Sequence, residues 1–429
     1  MSKLLCNPFC NPDMLTRLEN TFVKEIAPDI WMIQGFWPQM FTLEPPSGNI
    51  FVMRDGDMVL LMDTGHHPFY RSRILEILKK FVKEGATELV LVMSHGHWDH
   101  GKSNDVIYEA GYKKVRFLLP EIEFATLDIT KHMAGVMAKA YEYYDPCAGM
   151  ADGFQMMVEW AKRFPEFNEP QYQDTWAIIK SLPAEYDSQK TFEAYKSLLS
   201  NVWCPDLKSY ILDRAEPLLM NNRVKRKYGR TFVQGWPLGR FFLIHDASHS
   251  PGHISIYDPL NKFIITGDAT VEINPPFIDN CLSNSIEISR VCLQMAEDGY
   301  ITMATDAHRT SQWAKSLELW GLQPLAPVEL VDVARGKEEC VALFRMFYEY
   351  FSTLWDEVIT AHAAIGEATV AEILAQLGKS ASKYVKFKLG LKPPSVPVKP
   401  ENLVAVVLKE TGAGRRVVKD RILFTPAVK

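Results

Sequence analysis

The chain has 429 residues, 47% of them hydrophobic, which is too long for one minimal domain and long enough for a large core with additions. Its formal charge of -5 gives no overall attraction to nucleic acid or to an anionic membrane. The seven cysteines, at positions 6, 10, 147, 204, 281, 292 and 340, are odd in number and set in no disulfide framework, so reduced thiols in a cytoplasm are expected.

The opening MSKLLCNPFCNPDM has no apolar stretch of signal-peptide length, and no later run approaches the roughly 18 apolar residues of a membrane span. Cys6 and Cys10 have no second pair to complete a metal site, and residues 1–25 read as an N-terminal extension. From residue 26 the chain reads as short strands, APDIWMIQG, GNIFVMR and DMVLLMDTG, the last two joined through an Asp55-Gly56 turn. In RSRILEILKKFVKEG, residues Ile74, Leu75, Ile77, Leu78, Phe81 and Val82 share one helical face, and Gly85 ends the helix.

The short apolar run ELVLVMS reads as a buried strand that delivers the chain into HGHWDH. Residues of about 121–232 read as a helical insertion, rich in Tyr141, Tyr143, Tyr144, Phe154, Trp160, Phe164, Trp176 and Trp203. These rings suit the insertion's own core and, collectively, a wall for an apolar or aromatic substrate. A second strand set follows in RFFLIHDAS, HISIYDP and KFIITGD, then a helix from about Ser285 to Glu297 and the strand YITMATD.

A boundary is expected near residue 336, giving a catalytic domain over 26–335 and a helical, basic C-terminal domain over 336–429. From Lys379 onward twelve Lys or Arg stand against three Asp or Glu, so the tail is basic on an acidic protein. It carries no recognition module for nucleic acid, and a solvated face or an oligomer contact is the preferred reading.

In MSHGHWDHGKSN, His95 and His97 stand at alternate positions and point the same way in extended chain, while Asp99 and His100 curl back on the next turn. Three imidazoles and a carboxylate within six positions at a strand end have no packing role and suit a metal ion. His-x-His-x-Asp-His in this place resembles the signature of the metallo-β-lactamase superfamily. Further motifs resemble the family's in order: Asp63 in LLMDTG, His249 and His253 in SHSPGH, Asp268 in IITGDA and His308 in TDAH.

The resemblance implies an α/β fold, the αβ/βα sandwich with two central mixed sheets. It implies His95, His97 and His249 at a first metal, Asp99, His100 and His308 at a second, Asp268 bridging, and Asp63 and His253 in support. Zinc is the expected metal, with iron and manganese suited to the same shell. Because no cysteine stands among the ligands, the set is similar to that of glyoxalase II and the lactonases.

The implied activity is hydrolysis by a metal-bound hydroxide, with Asp99 or Asp268 passing a proton to the leaving group. The expected substrate is a small apolar or aromatic ester, thioester, lactone or activated aryl compound. The alternatives are iron redox chemistry similar to that of persulfide dioxygenases, and nucleic-acid processing, which the acidic core disfavours. A homo- or hetero-oligomer is left open by the sequence. His66, His67, His132, His245 and His362 read as ordinary turn, surface or core histidines.

Overall fold

A computed structural model describes residues 21–35, 47–126, 128–162, 170–270, 278–308, 333–382 and 400–427. Two mixed sheets stack face to face. The first runs β1 (Val23–Ala27), β2 (Ile30–Ile33), β3 (Ile50–Asp55), β4 (Met58–Met62), β5 (Glu88–Val92), β6 (Lys114–Pro120) and β7 (Glu216–Leu218), in chain order. Its β1–β4 portion is an antiparallel meander, and from β4 to β7 the strands are parallel.

The second sheet runs β8 (Val224–Tyr228), β9 (Thr231–Leu238), β10 (Phe241–His245), β11 (Ile254–Asp258), β12 (Phe263–Ile265), β13 (Met303–Thr305) and β14 (Ala334–Arg335). Only its β12–β13 pairing is parallel, as expected where the helix α6 (Leu282–Glu297) makes the crossover. The turn from β3 into β4 is Gly56-Asp57, one residue on from the Asp55-Gly56 expected, because Asp55 still pairs with Met58; Gly56 has φ 59°.

Strand alternation explains why these runs are apolar without a break. In β3, β4 and β5, Phe51, Met53, Leu60, Met62, Val90 and Val92 face the second sheet, where they meet Phe241, Leu243, Ile254, Ile256, Phe263 and Ile265. Their neighbours Val52, Leu61 and Leu91 face outward onto Ile74, Leu78 and Phe81 of α1 (Phe69–Lys83). Phe242, Ile244 and Ile264 likewise face outward onto a helical layer that includes α6 and α7 (Gly336–Ile365). The inner strands β3, β4, β5, β10 and β12 thus bury both faces, and the four layers run helix, sheet, sheet, helix.

Between β6 and β7 lie α2 (Ile129–Ala140), α3 (Cys147–Ala161), α4 (Gln173–Lys180) and α5 (Ser188–Leu198). The carboxylates of Asp128 and Asp187 cap α2 and α5 by accepting from Lys131 N and Lys190 N. The aromatic rings read from sequence are core here: Phe154, Trp176 and Trp203 are buried, and Tyr141, Tyr143 and Tyr144 pack against the same cluster. Phe164 and the Trp160 side chain lie outside the described residues, as do Cys6 and Cys10.

The stretch read as helical to residue 232 contains two strands, β7 and β8, the edges of the two sheets. Their sequences, EPL and VKRKY, are short or charged, as edge strands tend to be, and show no apolar run.

Past residue 336 come α7, α8 (Val370–Ser380), α9 (Pro400–Thr411) and a hairpin of β15 (Gly414–Val418) and β16 (Arg421–Thr425). Thr369 and Glu372 form a reciprocal capping box on α8. This segment shares one hydrophobic cluster with α6 and the insertion, which buries Leu403, Val404, Val406 and Val407 of α9. No helix among the described residues is long and apolar enough to cross a membrane.

Candidate metal centre

Because β4 and β5 run parallel, their carboxyl ends open at one edge, and the loops that leave them meet. Asp63 follows β4 in a left-handed conformation at φ 59°. Its Oδ1 accepts from Ser94 N at 2.7 Å, and its Oδ2 accepts from Ser94 Oγ at 2.8 Å and lies 2.8 Å from His100 Nδ1. Thr64 N donates to His100 O at 2.7 Å. This carboxylate, wholly buried, is used up in orienting the loop, and His100 is left with Nε2 turned toward the centre.

His95 follows directly and is fixed by Ser94 Oγ at 2.9 Å from its Nδ1, so its Nε2 also faces inward. His97 Nδ1 meets His249 Nε2 at 3.0 Å, across 152 residues of sequence. Asp268 Oδ2 lies 3.3 Å from His249 Nε2, 3.4 Å from His308 Nε2 and 3.9 Å from His95 Nε2. His308 Nε2 lies 3.2 Å from Asp99 Oδ2, and His100 Nε2 lies 3.5 Å from Asp268 Oδ1. The seven side chains named from sequence therefore converge.

Three overlapping groups could hold a metal ion: His95, His97 and His249; His95, His100 and Asp268; and Asp99, His100 and His308. Burial and then the imidazoles around them hold His95 and His97 well below the usual imidazole range. Burial brings His249 down to about 4, against the pull of Asp268. Burial opposes charge on His308 too, but Asp268 and Asp99 outweigh it and raise it to about 10. His100 is raised well above the usual range by Asp268, Asp99 and Asp63, also against its burial. Burial resists ionisation of Asp268, yet the imidazoles of His308, His100 and His249 hold its carboxyl well below the usual carboxylate range.

The site therefore sets buried, ionised carboxylates beside three imidazoles kept neutral, His95, His97 and His249, and two kept protonated, His100 and His308, whose charge faces Asp99 and Asp268. His95 Nε2, His100 Nε2 and Asp268 Oδ1 are buried with no hydrogen-bond partner, which in a folded interior calls for an explanation. Divalent cations fit: the orphaned atoms are two imidazole nitrogens and a carboxylate oxygen, all good ligands, directed at one small volume.

His253 sits apart from that volume. Its Nδ1 bonds Asp246 Oδ1 at 2.7 Å and its Nε2 accepts from Asp268 N at 3.0 Å, so it holds Asp268 by the backbone.

Several positioning residues had no sequence signal. Asp246 also accepts from Ser248 N, Ser248 Oγ and Ser255 Oγ. Glu123 Oε2 accepts from Gly96 N at 2.9 Å, while its Oε1 accepts from Ser250 Oγ at 2.5 Å and Gly252 N at 2.6 Å, so one carboxylate joins the two histidine loops. Asn49 Nδ2 donates to Asp306 O at 2.9 Å and steadies the turn before His308.

Two histidines read as ordinary lie against the site. His66 Nδ1 bonds Trp98 O at 3.0 Å, and the His132 ring of α2 is centred 6.4 Å from that of His97. Trp98 itself is buried and stacks on Trp203 at 5.8 Å, which ties the ligand loop to the helical insertion.

A two-sheet sandwich with helices on its outer faces and a histidine-aspartate centre at the strand ends defines a class of metal-binding α/β proteins. Residues 194–324 match the family model described as Metallo-beta-lactamase superfamily, a span that holds His249, Asp268 and His308. Over that span the chain is similar to the metallo-β-lactamase superfamily.

Among solved structures, it is similar to a metallo-beta-lactamase family protein from Thermus thermophilus, at 14% identity over 94% of this chain and 100% of that one, with a TM-score of 0.43. A beta-lactamase domain protein from Burkholderia ambifaria is 16% identical over 94% and 95%, with a TM-score of 0.44. A stereoselective inverting sec-alkylsulfatase from Pseudomonas sp. is 13% identical over 95% of this chain but 54% of that one, with a TM-score of 0.48. The comparison with curated proteins finds no match.

Proposed function

We propose that the protein is a dinuclear metal-dependent hydrolase. His95, His97 and His249 hold one divalent cation, Asp99, His100 and His308 hold the other, and Asp268 lies between them. One observation carries the reading: Asp268 Oδ2 is within 3.3–3.9 Å of Nε2 of His249, His308 and His95, so a single carboxylate faces both groups. The nitrogen and oxygen donors suit zinc, and iron or manganese would fill the same shell.

Bound divalent cations supply Lewis acidity and bring the pKa of an associated water down toward neutrality. The chain's own part is placement and proton handling. Asp63 fixes the tautomer and direction of His100, and Ser94 does the same for His95. Asp99, whose Oδ2 faces His308, is placed to hold the proton given up by the attacking water and pass it to the departing oxygen or sulfur. In the overall reaction water's oxygen joins the acyl carbon, the C–O or C–S bond breaks, and the leaving alcohol or thiol takes that proton. Small apolar esters, thioesters and lactones are the proposed substrates.

The test is replacement of His97 and of Asp268 by Ala, with elemental analysis and assay of the metal-loaded protein against esters, thioesters, lactones and activated aryl compounds. Each variant is expected to lose bound metal and turnover. Full metal and full activity in both would refute the site, and iron accompanied by oxygen consumption would replace hydrolysis with redox chemistry.

A further inference from the structure

The backbone of the His249 loop is held by three side chains from one turn. Asn284 Nδ2 donates to Ala247 O at 2.9 Å, Ser285 Oγ donates to Ser248 O at 3.4 Å, and Asn280 Nδ2 donates to His249 O. Three successive carbonyls are thus fixed by the start of α6 and the residues just before it. That start is poorly provided for locally: Cys281 at the N-cap makes no side-chain capping bond, and the first turn of α6 contains no acidic residue.

The missing cap comes from the far end of the sequence. Glu410 of α9 accepts from Leu282 N at 2.5 Å through Oε1, and from Ser283 N at 3.2 Å and Ser283 Oγ through Oε2. A carboxylate there also complements the positive end of the helix dipole. Its neighbour Lys409 donates from Nζ to Ile278 O at 2.7 Å and to Asn280 O. The residue that grips the His249 carbonyl is therefore itself gripped by α9.

We infer that Lys409 and Glu410 are positioning residues for the metal group containing His249, acting through the Asn280–Ser285 turn. This assigns a role to the C-terminal segment that neither its basic charge nor the family motifs disclose. It rests on the reading of His249 as a ligand. The second group, Asp99, His100 and His308, hangs on other supports, Asp63 and Asn49, so the effect is confined to one cation.

The experiment uses the full chain loaded with Co2+ or Zn2+, with affinities for the two equivalents measured by chelator competition and the Co2+ absorption spectrum recorded. Glu410→Gln, Lys409→Met and Asn280→Ala are compared with Lys409→Arg, and near-UV circular dichroism checks folding. The first three are expected to weaken one metal equivalent about tenfold or more, the loss typical of a disturbed ligand support. The other equivalent stays within about twofold, the spectrum changes for one site, and Lys409→Arg recovers most of the loss.

Wild-type affinity for both equivalents in Glu410→Gln and Asn280→Ala overturns the inference, and so does equal weakening of both, which general destabilisation would produce. Should Lys409→Met fail to fold, those two milder variants decide. His249→Ala separates the two ideas: if it keeps both equivalents, the ligand reading fails, and if it loses one, only the role of α9 is at stake.

Discussion

Asp63 and His100 are joined by a 2.8 Å contact between Oδ2 and Nδ1, and neither side chain is exposed. The same carboxylate takes both donors of Ser94, so it sets the direction of two candidate ligands, His95 and His100, without offering an oxygen to the centre. Asp63→Asn puts an amide N–H against one of three donors. Metal affinity is expected to fall about 10–100-fold, the range for lost ligand partners. Chelator competition checks this, and an unchanged affinity would show that Asp63 only shapes the turn.

Glu123 makes the corresponding link between the two loops. Its oxygens take Gly96 N on one side and Ser250 Oγ with Gly252 N on the other, all buried. Glu123→Gln keeps the shape but has one acceptor oxygen, so an amide N–H must face a donor whichever way the group turns. The expected cost is about 1–3 kcal/mol, as for a buried donor left unsatisfied. Urea denaturation of the metal-free protein measures it, and a loss below about 0.5 kcal/mol would remove Glu123 from the framework.

His66 gives the protein a predictable acid sensitivity. Burial, helped by the charge of Lys102, brings it down to about 4, and it bonds Trp98 O at 3.0 Å. The folded state keeps the ring neutral while the unfolded chain takes a proton below about pH 6.5, so its contribution is intact above that value and is lost as pH falls toward about 4. His66→Gln can donate an amide N–H to the same carbonyl without titrating. Between about pH 7.5 and about pH 5 the wild type is expected to lose about 2 kcal/mol more than the variant. The buried His95, His97 and His249 are common to both proteins and cancel. Parallel stability profiles across this range would refute the assignment.

What the sequence disclosed and what it hid follow from how each feature is built. His95, His97, Asp99 and His100 are legible as candidate ligands because a metal site would demand particular residue types at close spacing, and β3, β4 and β5 are legible because strands buried on both faces must be apolar throughout. Glu123 is not: it stands two residues from Glu121 in EIEFAT, and nothing local marks one as buried against the ligand loops and the other as accepting from Met220 N. Asp246 and Asn280 are equally plain in sequence, since their partners arrive only when strands and helices pack. The edges β7 and β8 were concealed because an edge strand carries proline and charge where an inner one carries valine and leucine.

Gly267 offers a test of how tightly the centre is built. It has φ +53°, and a Cβ placed on it would lie 2.6 Å from Nε2 of His253. That ring cannot retreat freely, because Nδ1 is bonded to Asp246 at 2.7 Å and Nε2 accepts from Asp268 N at 3.0 Å. Gly56 is the natural control: its φ is +59°, yet an added Cβ there meets nothing within 4 Å. Gly56→Ala should therefore show only the cost of a left-handed L-residue, about 1–2 kcal/mol. Gly267→Ala carries the same backbone cost plus displacement of a buried, doubly bonded imidazole, and is expected to lose about 3–4 kcal/mol in total. The shift of His253 also moves the Asp268 backbone, so metal affinity should drop in Gly267→Ala and hold in Gly56→Ala. Equal losses of stability in the two variants, with metal affinity intact in both, would mean that the imidazole yields and that Asp268 does not depend on its position.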